Sequence, residues 1–156
     1  MKRHRQLQPL SRQHHNGLLA ALLLKKGVKK NAGINDMRAF ILHFWNNDLK
    51  QHFNDEENFL LPALKNTSLY DDLGMQLLRE HKALRELISS FHQNICNGDM
   101  VEKFSALLEA HIRFEERVLF PKAEELLTEE QLQIIGDHLH ENTDDNCINY
   151  PIKFWE

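Results

Sequence analysis

The sequence predicts an all-α protein, an up-down-up-down four-helix bundle with a short C-terminal helix and tail. The 156 residues include six Gly and four Pro, too few for the dense turns of a β-sandwich. Among the apolar residues, 25 Leu stand against 9 Ile and 3 Val, and Leu loses less rotamer freedom in a helix than β-branched residues lose. This length favours one domain, which we place at residues 1–156 with a bundle core at about residues 10–122.

The first two helices are predicted from apolar periodicity and from helix-ending residues. Helix A is expected over residues 11–26, with Ser11 as its N-cap and with leucines spaced to form one buried face. A loop follows at residues 27–35. Helix B begins at Asn35 or Asp36 and continues until Pro62 interrupts or kinks it.

Helices C and D have clear signals at their ends. Helix C is expected from residue 73 until the pair Asn97-Gly98, a normal C-terminal signal. Asp99 can cap helix D, which runs into Pro121. Because the connections between the four helices are short, neighbouring helices should be antiparallel.

A shorter fifth helix and an apolar tail complete the predicted architecture. Thr128 and Gln131 have the spacing of a capping box, and apolar residues follow them at helical spacing. The tail, residues 142–156, is rich in apolar and aromatic side chains. Exposure of these side chains to water would be costly, so we expect the tail to lie across the bundle.

Charge and composition exclude several classes of function. The formal net charge of −4 gives no basic surface for nucleic acid or for an anionic membrane. The basic N-terminus lacks the apolar region of a signal peptide, and the longest apolar run, residues 18–24, is too short to span a bilayer. The two cysteines form no Cys-x-x-Cys motif. We therefore expect a cytoplasmic protein with no membrane or nucleic-acid partner.

One eleven-residue pattern occurs twice, at residues 52–62 and 111–121. Both copies fit the frame His-[Phe/Ile]-x-x-Glu-Glu-x-x-Leu-x-Pro. The first copy stands at the end of helix B and the second at the end of helix D. The chain therefore resembles two helical hairpins related by an approximate twofold axis. In helices A and C, His15 and His81 each stand three residues before a core Leu.

This spacing points to a metal site inside the bundle. A His and a Glu four residues apart lie on one helix face and can reach one point. The candidate ligands are His15, His52, Glu56, His81, His111 and Glu115. Imidazole with carboxylate suits iron, manganese or zinc, and six ligands exceed the needs of one tetrahedral ion. A dinuclear centre bridged by Glu56 and Glu115, with two His on each metal, uses every ligand and leaves coordination positions open.

Neighbouring residues offer alternatives to some of these ligands. His14 competes with His15, and we favour His15 because it points in the same direction as leucines of helix A. Glu57 and Glu116 turn about 100° away from the proposed bridges, so we interpret them as solvated or as outer partners, although either could replace its neighbour. Glu80 can orient a ligand His or stand exposed.

Four motifs stand in order along the chain: His15, His52-x-x-x-Glu56, Glu80-His81-Lys82 and His111-x-x-x-Glu115. Together they resemble the hemerythrin family, in its His-His-Glu cation-binding branch. The resemblance implies a four-helix bundle around two iron ions with an oxo or hydroxo bridge, with the histidines as terminal ligands. It also implies a small exogenous ligand, O2, nitric oxide or peroxide, and a sensing, storage or protective role.

Two features of the sequence narrow the range of functions that the resemblance implies. Reversible oxygen carriers of the family have an additional His one turn after the third-helix ligand, where this chain has Arg85, so simple oxygen carriage is disfavoured. Ferritin-like enzymes use Glu-x-x-His, a motif that this sequence lacks. Iron handling or repair of damaged iron centres is one alternative, and a helical interaction module with one zinc or no metal is another. We assign no catalytic residue.

Overall fold

Helices dominate the computed structural model, which describes residues 2–140 and 146–156. The elements are α1 at Gln8–Lys29, α2 at residues 34–64, α3 at residues 70–92, α4 at residues 98–126 and α5 at Glu129–His138. Short 3₁₀ turns occur at Arg5–Leu7 and Cys147–Asn149. Within these described ranges there is no β-strand. The predicted all-α architecture, four long helices and a shorter one, is confirmed.

The four long helices pack as a ring. α1 makes its most extensive contact with α4, α4 also packs on α3, and α3 packs on α2. α2 completes the ring against α1. None of the helices in the described part of the chain has an apolar stretch long enough to span a bilayer.

The apolar core of the bundle consists of two separate clusters. The tail-side cluster includes Leu24, Phe40, Phe91, Phe104 and Trp155. The α5-side cluster includes Leu10, Leu64, Leu77, Phe120 and Ile135. Between these clusters lie buried polar side chains, at least one from each long helix: His14, His52, Glu56, His81, His111 and Glu115. We call this level of the bundle the polar layer.

Three of the long helices contain π turns, in which a backbone N–H bonds to the carbonyl five residues earlier. They lie at Trp45–Leu49 and Glu56–Leu60 in α2 and at Glu115–Leu119 in α4. α3 also begins with a π turn, Tyr70–Gly74, before its regular part, Met75–His92. Such turns are frequent at functional sites. Two of these four begin at the glutamates of the repeated motif.

The π turns explain why α2 and α4 continue past their prolines. In a regular α-helix, proline lacks an N–H and clashes with the carbonyl four residues earlier. Here Pro62 and Pro121 each follow directly after a residue whose N–H closes a π turn. α2 therefore extends to Leu64 and α4 to Leu126, so the predicted interruption at Pro62 does not occur.

Both ends of α1 differ from the prediction. The helix begins at Gln8, so Ser11 lies inside its first turns and is not its N-cap. It continues to Lys29, beyond the predicted end before Gly27. Gly27 lies inside the helix with the Phe154 ring directly against it, where an added Cβ would come within 2.8 Å of the ring.

The connection between α3 and α4 is longer than predicted. α3 ends at His92, before the predicted end at Asn97. Asn97, and not Asp99, caps α4, because its side chain accepts a hydrogen bond of 2.9 Å from the Met100 N–H.

The fifth helix and the tail follow the prediction. The Thr128 side chain and Gln131 form the expected reciprocal capping box at the start of α5. In the described part of the tail, residues 146–156, Phe154 and Trp155 are buried against the tail-side cluster. The Phe154 ring lies 5.1 Å from that of Phe40 on α2. Residues 142–145 of the predicted tail lie outside the described residues.

Candidate metal centre

The polar layer brings together six ionisable side chains from all four long helices. Each of them is at most 4% exposed: His14 from α1, His52 and Glu56 from α2, His81 from α3, and His111 and Glu115 from α4. The two His-x-x-x-Glu pairs stand one turn apart on the inner faces of α2 and α4, so each imidazole lies next to its own carboxylate.

These side chains form two overlapping groups, each able to hold a metal ion. The first group is His14, His52, Glu56 and Glu115, and the second is Glu56, His81, His111 and Glu115. Within each group the candidate ligand atoms all lie within 4.8 Å of one another. Glu56 and Glu115 belong to both groups, as a bridging role requires.

Distances within the layer support this division. Glu56 faces both groups with different oxygens, Oε2 at 3.3 Å from His52 Nε2 and Oε1 at 3.1 Å from His81 Nε2. Glu115 Oε1 lies 2.9 Å from His14 Nε2 and 3.3 Å from His111 Nε2. Each glutamate therefore contacts at least one His of each group.

Unpaired atoms in the layer fit the presence of cations. Glu56 Oε2, Glu115 Oε2 and His111 Nε2 are buried without a hydrogen-bond partner. Burial of an unpaired polar atom costs about 1–3 kcal/mol, and more for a charged group. Two cations would satisfy these atoms, and a set of four imidazoles and two carboxylates suits iron, manganese or zinc. The residues present therefore fit a metal centre.

Each imidazole is also held from outside the layer, through its Nδ1. The Nδ1 atom lies 2.6–2.7 Å from a side-chain oxygen in every case. The pairs are His14 with Glu116, His52 with Gln13, His81 with Glu57, and His111 with Glu80. In a neutral imidazole, an Nδ1–H that donates to such an oxygen leaves Nε2 unprotonated and directed inward, as a metal ligand must be.

Charges in the layer shift the pKa values strongly. Burial, followed by the charge of Glu115, raises the pKa of Glu56 well above its usual value. Burial opposes ionisation of Glu115, yet the neighbouring His111 lowers the pKa of that carboxyl well below its usual value. Burial likewise opposes protonation of His111, but Glu115 and Glu80 raise the pKa of His111 to about 9. Burial lowers the pKa of His52 to about 4. Such perturbed pKa values cluster at functional sites.

The structure places His14, and not His15, beside the other candidate ligands. His14 is 4% exposed and lies in the layer, whereas His15 is exposed on the outside of α1. The leucines misled the prediction because they surround α1, and Leu22 is 47% exposed. Small residues such as Gly17 and Ala20 mark the buried face instead.

The other five predicted ligands are brought together in the layer: His52, Glu56, His81, His111 and Glu115. Glu57 and Glu116 do not replace their neighbours, because both face outward and hold imidazoles from outside. Glu80 has the orienting role that the sequence left open. Sequence reasoning missed Gln13, since no pattern distinguishes it from the polar residues around it.

Arg85 lies outside the layer as well. Its Nη1 is 2.6 Å from Glu57 Oε2, the same oxygen that faces His81 Nδ1. Its guanidinium also lies 5.5 Å from the centre of the Phe53 ring, which stacks on His81. Arg85 thus supports the outer partner of His81 and brings no ligand atom to the metal site.

A small cleft adjoins the polar layer. Three of the four histidines line it, His14, His52 and His111, together with Gln13. The rest of its lining is mainly apolar: Gly17, Phe44, Leu49, Phe53, Leu108 and Ile112, with Asp48. The cleft has room for about one water-sized molecule beside the candidate ligands.

A comparison with family models agrees with the geometry of the site. The model described as Hemerythrin, the hemerythrin HHE cation binding domain, matches residues 6–123. The matched segment contains all six residues of the polar layer and their four outer partners. No curated protein and no solved structure gives a significant match to the chain.

Proposed function

Since the chain belongs to the hemerythrin HHE cation-binding domain family, we propose that it binds two iron ions in the polar layer. The centre would bind a small exogenous ligand, O2, nitric oxide or peroxide, in a sensing, storage or protective role. One observation carries this proposal, namely the two ligand groups that share Glu56 and Glu115.

The residues divide naturally between two ions. His14 and His52 would hold one ion, His81 and His111 the other, and the two shared glutamates would bridge them. Two imidazoles and two carboxylate oxygens give each ion four protein donors, fewer than the six of an octahedral ion. When bound, the ions would supply open coordination positions for a small molecule.

The surroundings of the layer favour a small, weakly polar ligand. The adjoining cleft is lined mainly by apolar side chains, including Phe44 and Phe53, and an apolar wall costs an uncharged diatomic molecule little in lost hydration. Each group contains two histidines. Reversible oxygen carriers of the family have an additional His at the position where this chain has Arg85. This equality favours sensing, storage or protection over simple oxygen carriage.

Metal analysis and spectroscopy test the proposal. The protein is loaded with Fe(II) under anaerobic conditions, and its iron content and visible spectrum are followed during titration with O2 and with nitric oxide. We expect about two irons per chain, and spectral changes on addition of at least one of these ligands. A chain that binds no iron, or bound iron whose spectrum neither ligand changes, would contradict the proposal.

Two matched double variants serve as controls. The change of His52→Ala with His111→Ala removes one imidazole from each group and should abolish iron binding. The change of His43→Ala with His92→Ala removes two exposed histidines of the bundle and should leave it intact. Equal iron content in the two double variants would contradict the assignment of the ligands.

Iron handling or repair is the second candidate. Its test is the transfer of iron to an apo acceptor, which a sensing or storage centre should resist. The near-complete burial of all six residues favours retention of the metal. The unpaired buried atoms of the layer argue against a helical module with no metal.

A further inference from the structure

The outer partners of the four histidines are not equivalent. His14, His81 and His111 each direct Nδ1 to a carboxylate, whereas His52 directs Nδ1 to the Gln13 amide oxygen at 2.6 Å. A carboxylate partner makes an imidazole a stronger electron donor than a neutral amide does. His52 is therefore the histidine with the weakest outer support.

The three carboxylates differ in the charge that their other neighbours leave on them. Glu116 bonds to Ser11 Oγ at 2.7 Å and pairs with Arg3 at 3.3 Å. Glu57 pairs with Arg85 at 2.6 Å. In these two cases a guanidinium draws part of the negative charge away from the imidazole.

Glu80 has a different second contact. Its Oε2 accepts a hydrogen bond of 2.8 Å from the neutral Gln76 amide, while its Oε1 faces His111 Nδ1. Its full negative charge therefore remains available to His111. Of the four imidazoles, His111 has the strongest outer support, and it belongs to the group opposite that of His52.

From this asymmetry, and resting on the proposed function, we propose that the two metal positions are unequal. The position of His81 and His111 binds its ion more tightly, and the position of His14 and His52 holds the more exchangeable ion. Gln13 is the positioning residue that sets this difference. Changes to such outer partners alter metal affinity by about 10–100-fold.

The surroundings of Gln13 show why an amide stands there. Its Nε2 donates a hydrogen bond of 2.7 Å to the His140 carbonyl, and its Oε1 accepts from His52. A carboxylate could not donate the first of these bonds. His140 is held in turn by the buried Asp55, whose Oδ2 accepts from the His140 N–H at 2.9 Å. Gln13 thus links a metal ligand to the segment that follows α5.

The cleft lies on the same side of the layer as the weaker position. Gln13, His14 and His52 all line it, while His111 is the one histidine of the other group that does so. The more exchangeable ion is therefore also the one with the more direct path to a molecule in the cleft.

Stepwise binding of Fe(II) tests the inequality. The full chain is titrated anaerobically against a competing chelator, and the two dissociation constants are compared. We expect two steps separated by about tenfold or more in the unchanged protein. Mössbauer spectra at one equivalent of iron should show one environment, with a second, distinct one appearing at two equivalents.

Reciprocal substitutions assign the two steps. Glu80→Gln should weaken the tighter step by about tenfold and leave the weaker one in place. Gln13→Glu should tighten the weaker step and shift the second Mössbauer component. Gln133→Glu adds the same charge at an exposed position of α5 and should change neither step.

The possible failures are distinguishable. Two iron ions bound with equal affinity, or Glu80→Gln weakening the looser step, would overturn the inequality while the di-iron proposal survives. A chain that binds no iron overturns both. If Glu80→Gln or Gln13→Glu loses its helical circular dichroism, the single variants His52→Ala and His111→Ala are used in its place. The first should keep the tighter ion and the second should lose it, and the reverse order overturns the inference.

Discussion

Each histidine of the polar layer acts through both of its ring nitrogens. Nε2 faces the interior and Nδ1 is fixed by an oxygen outside the layer. Because an imidazole ring is rigid, fixing one nitrogen also directs the other. A change to an inward-facing histidine should therefore act on metal binding, whereas its exposed neighbour in the sequence should have no such effect.

The adjacent pair on α1 tests this directly. His14→Ala removes an inward Nε2 and the contact with Glu115 at 2.9 Å. We expect the iron content to fall from about two ions per chain to about one or fewer, because outer and inner ligand changes weaken metal binding at least about tenfold. His15→Ala, on the exposed side, should retain both ions. Metal analysis after gel filtration measures the difference, and iron loss in the His15 variant alone would contradict the assignment.

The sequence was informative about these residues to different degrees. The repeated His-x-x-x-Glu spacing predicted His52, Glu56, His111 and Glu115 on interior helix faces, and all four are buried. His81 stands outside this repeat and was predicted from its place three residues before Leu84, and it is buried as well. The orientation of α1 was not fixed, since leucines surround it and one residue shifts the direction by about 100°. Gln13 could not be found because its role depends on contacts with α2 and with His140.

Among the elements, the close approach of α1 and α4 determines the distance between His14 and Glu115. Gly17 lies at this contact, where an added Cβ would come within 2.7 Å of Ile112 Cδ1. Gly98, at the first residue of α4, has nothing within 4 Å of such a Cβ. The two glycines therefore differ in the space available to a methyl group.

Substitution of these glycines should separate packing from helix propensity. Gly17→Ala should lower the free energy of unfolding by no more than about 1 kcal/mol, because the end of the Ile112 side chain can shift and alanine recovers about 1 kcal/mol of helix propensity. Gly98→Ala should leave it unchanged or raise it by about 0.4–1 kcal/mol, because alanine restricts the unfolded chain. Urea denaturation of both variants measures the two values, and equal values would show that α1 and α4 do not pack closely at Gly17.

The tail is a second element whose contribution is measurable. Trp155 is 6% exposed against the tail-side cluster, whereas Ile152 in the same segment is 47% exposed. Trp155→Ala should cost about 3–5 kcal/mol of unfolding free energy, and Ile152→Ala should cost less than about 0.5 kcal/mol. Thermal and urea denaturation give both numbers. A small effect of the Trp155 change would mean that the tail does not dock on the bundle in solution.

The sequence predicted the order and number of the helices, because their apolar periodicity is long and regular. It did not predict the π turns, since proline normally signals an end and the compensating bond pattern has no local sequence signal. The start of α1 and the end of α3 were also misplaced, as helix ends depend on a few weak local contacts.

For the whole molecule, removal of the metal should have a large effect on stability. An ion that binds only the folded chain adds about 2.7 kcal/mol when its free concentration is 100 times its dissociation constant. Treatment with a chelator should therefore lower the melting temperature, as measured by calorimetry. The double variant His52→Ala with His111→Ala, which lacks one imidazole of each group, should show no such response. An unchanged melting temperature for the unaltered protein after complete metal removal would contradict this.

The division of the core by the polar layer has a consequence for cooperativity. Among the described residues, the buried apolar side chains form two separate clusters, tail-side and α5-side, and the buried His and Glu between them are incompletely paired. Without ions, the helical segments around one cluster can unfold locally with little change in the stability of the segments around the other. Amide hydrogen exchange should then report two separate opening units. Ions that join all four helices at the middle would merge them, so that the loaded chain exchanges its slowest amides through a single global event.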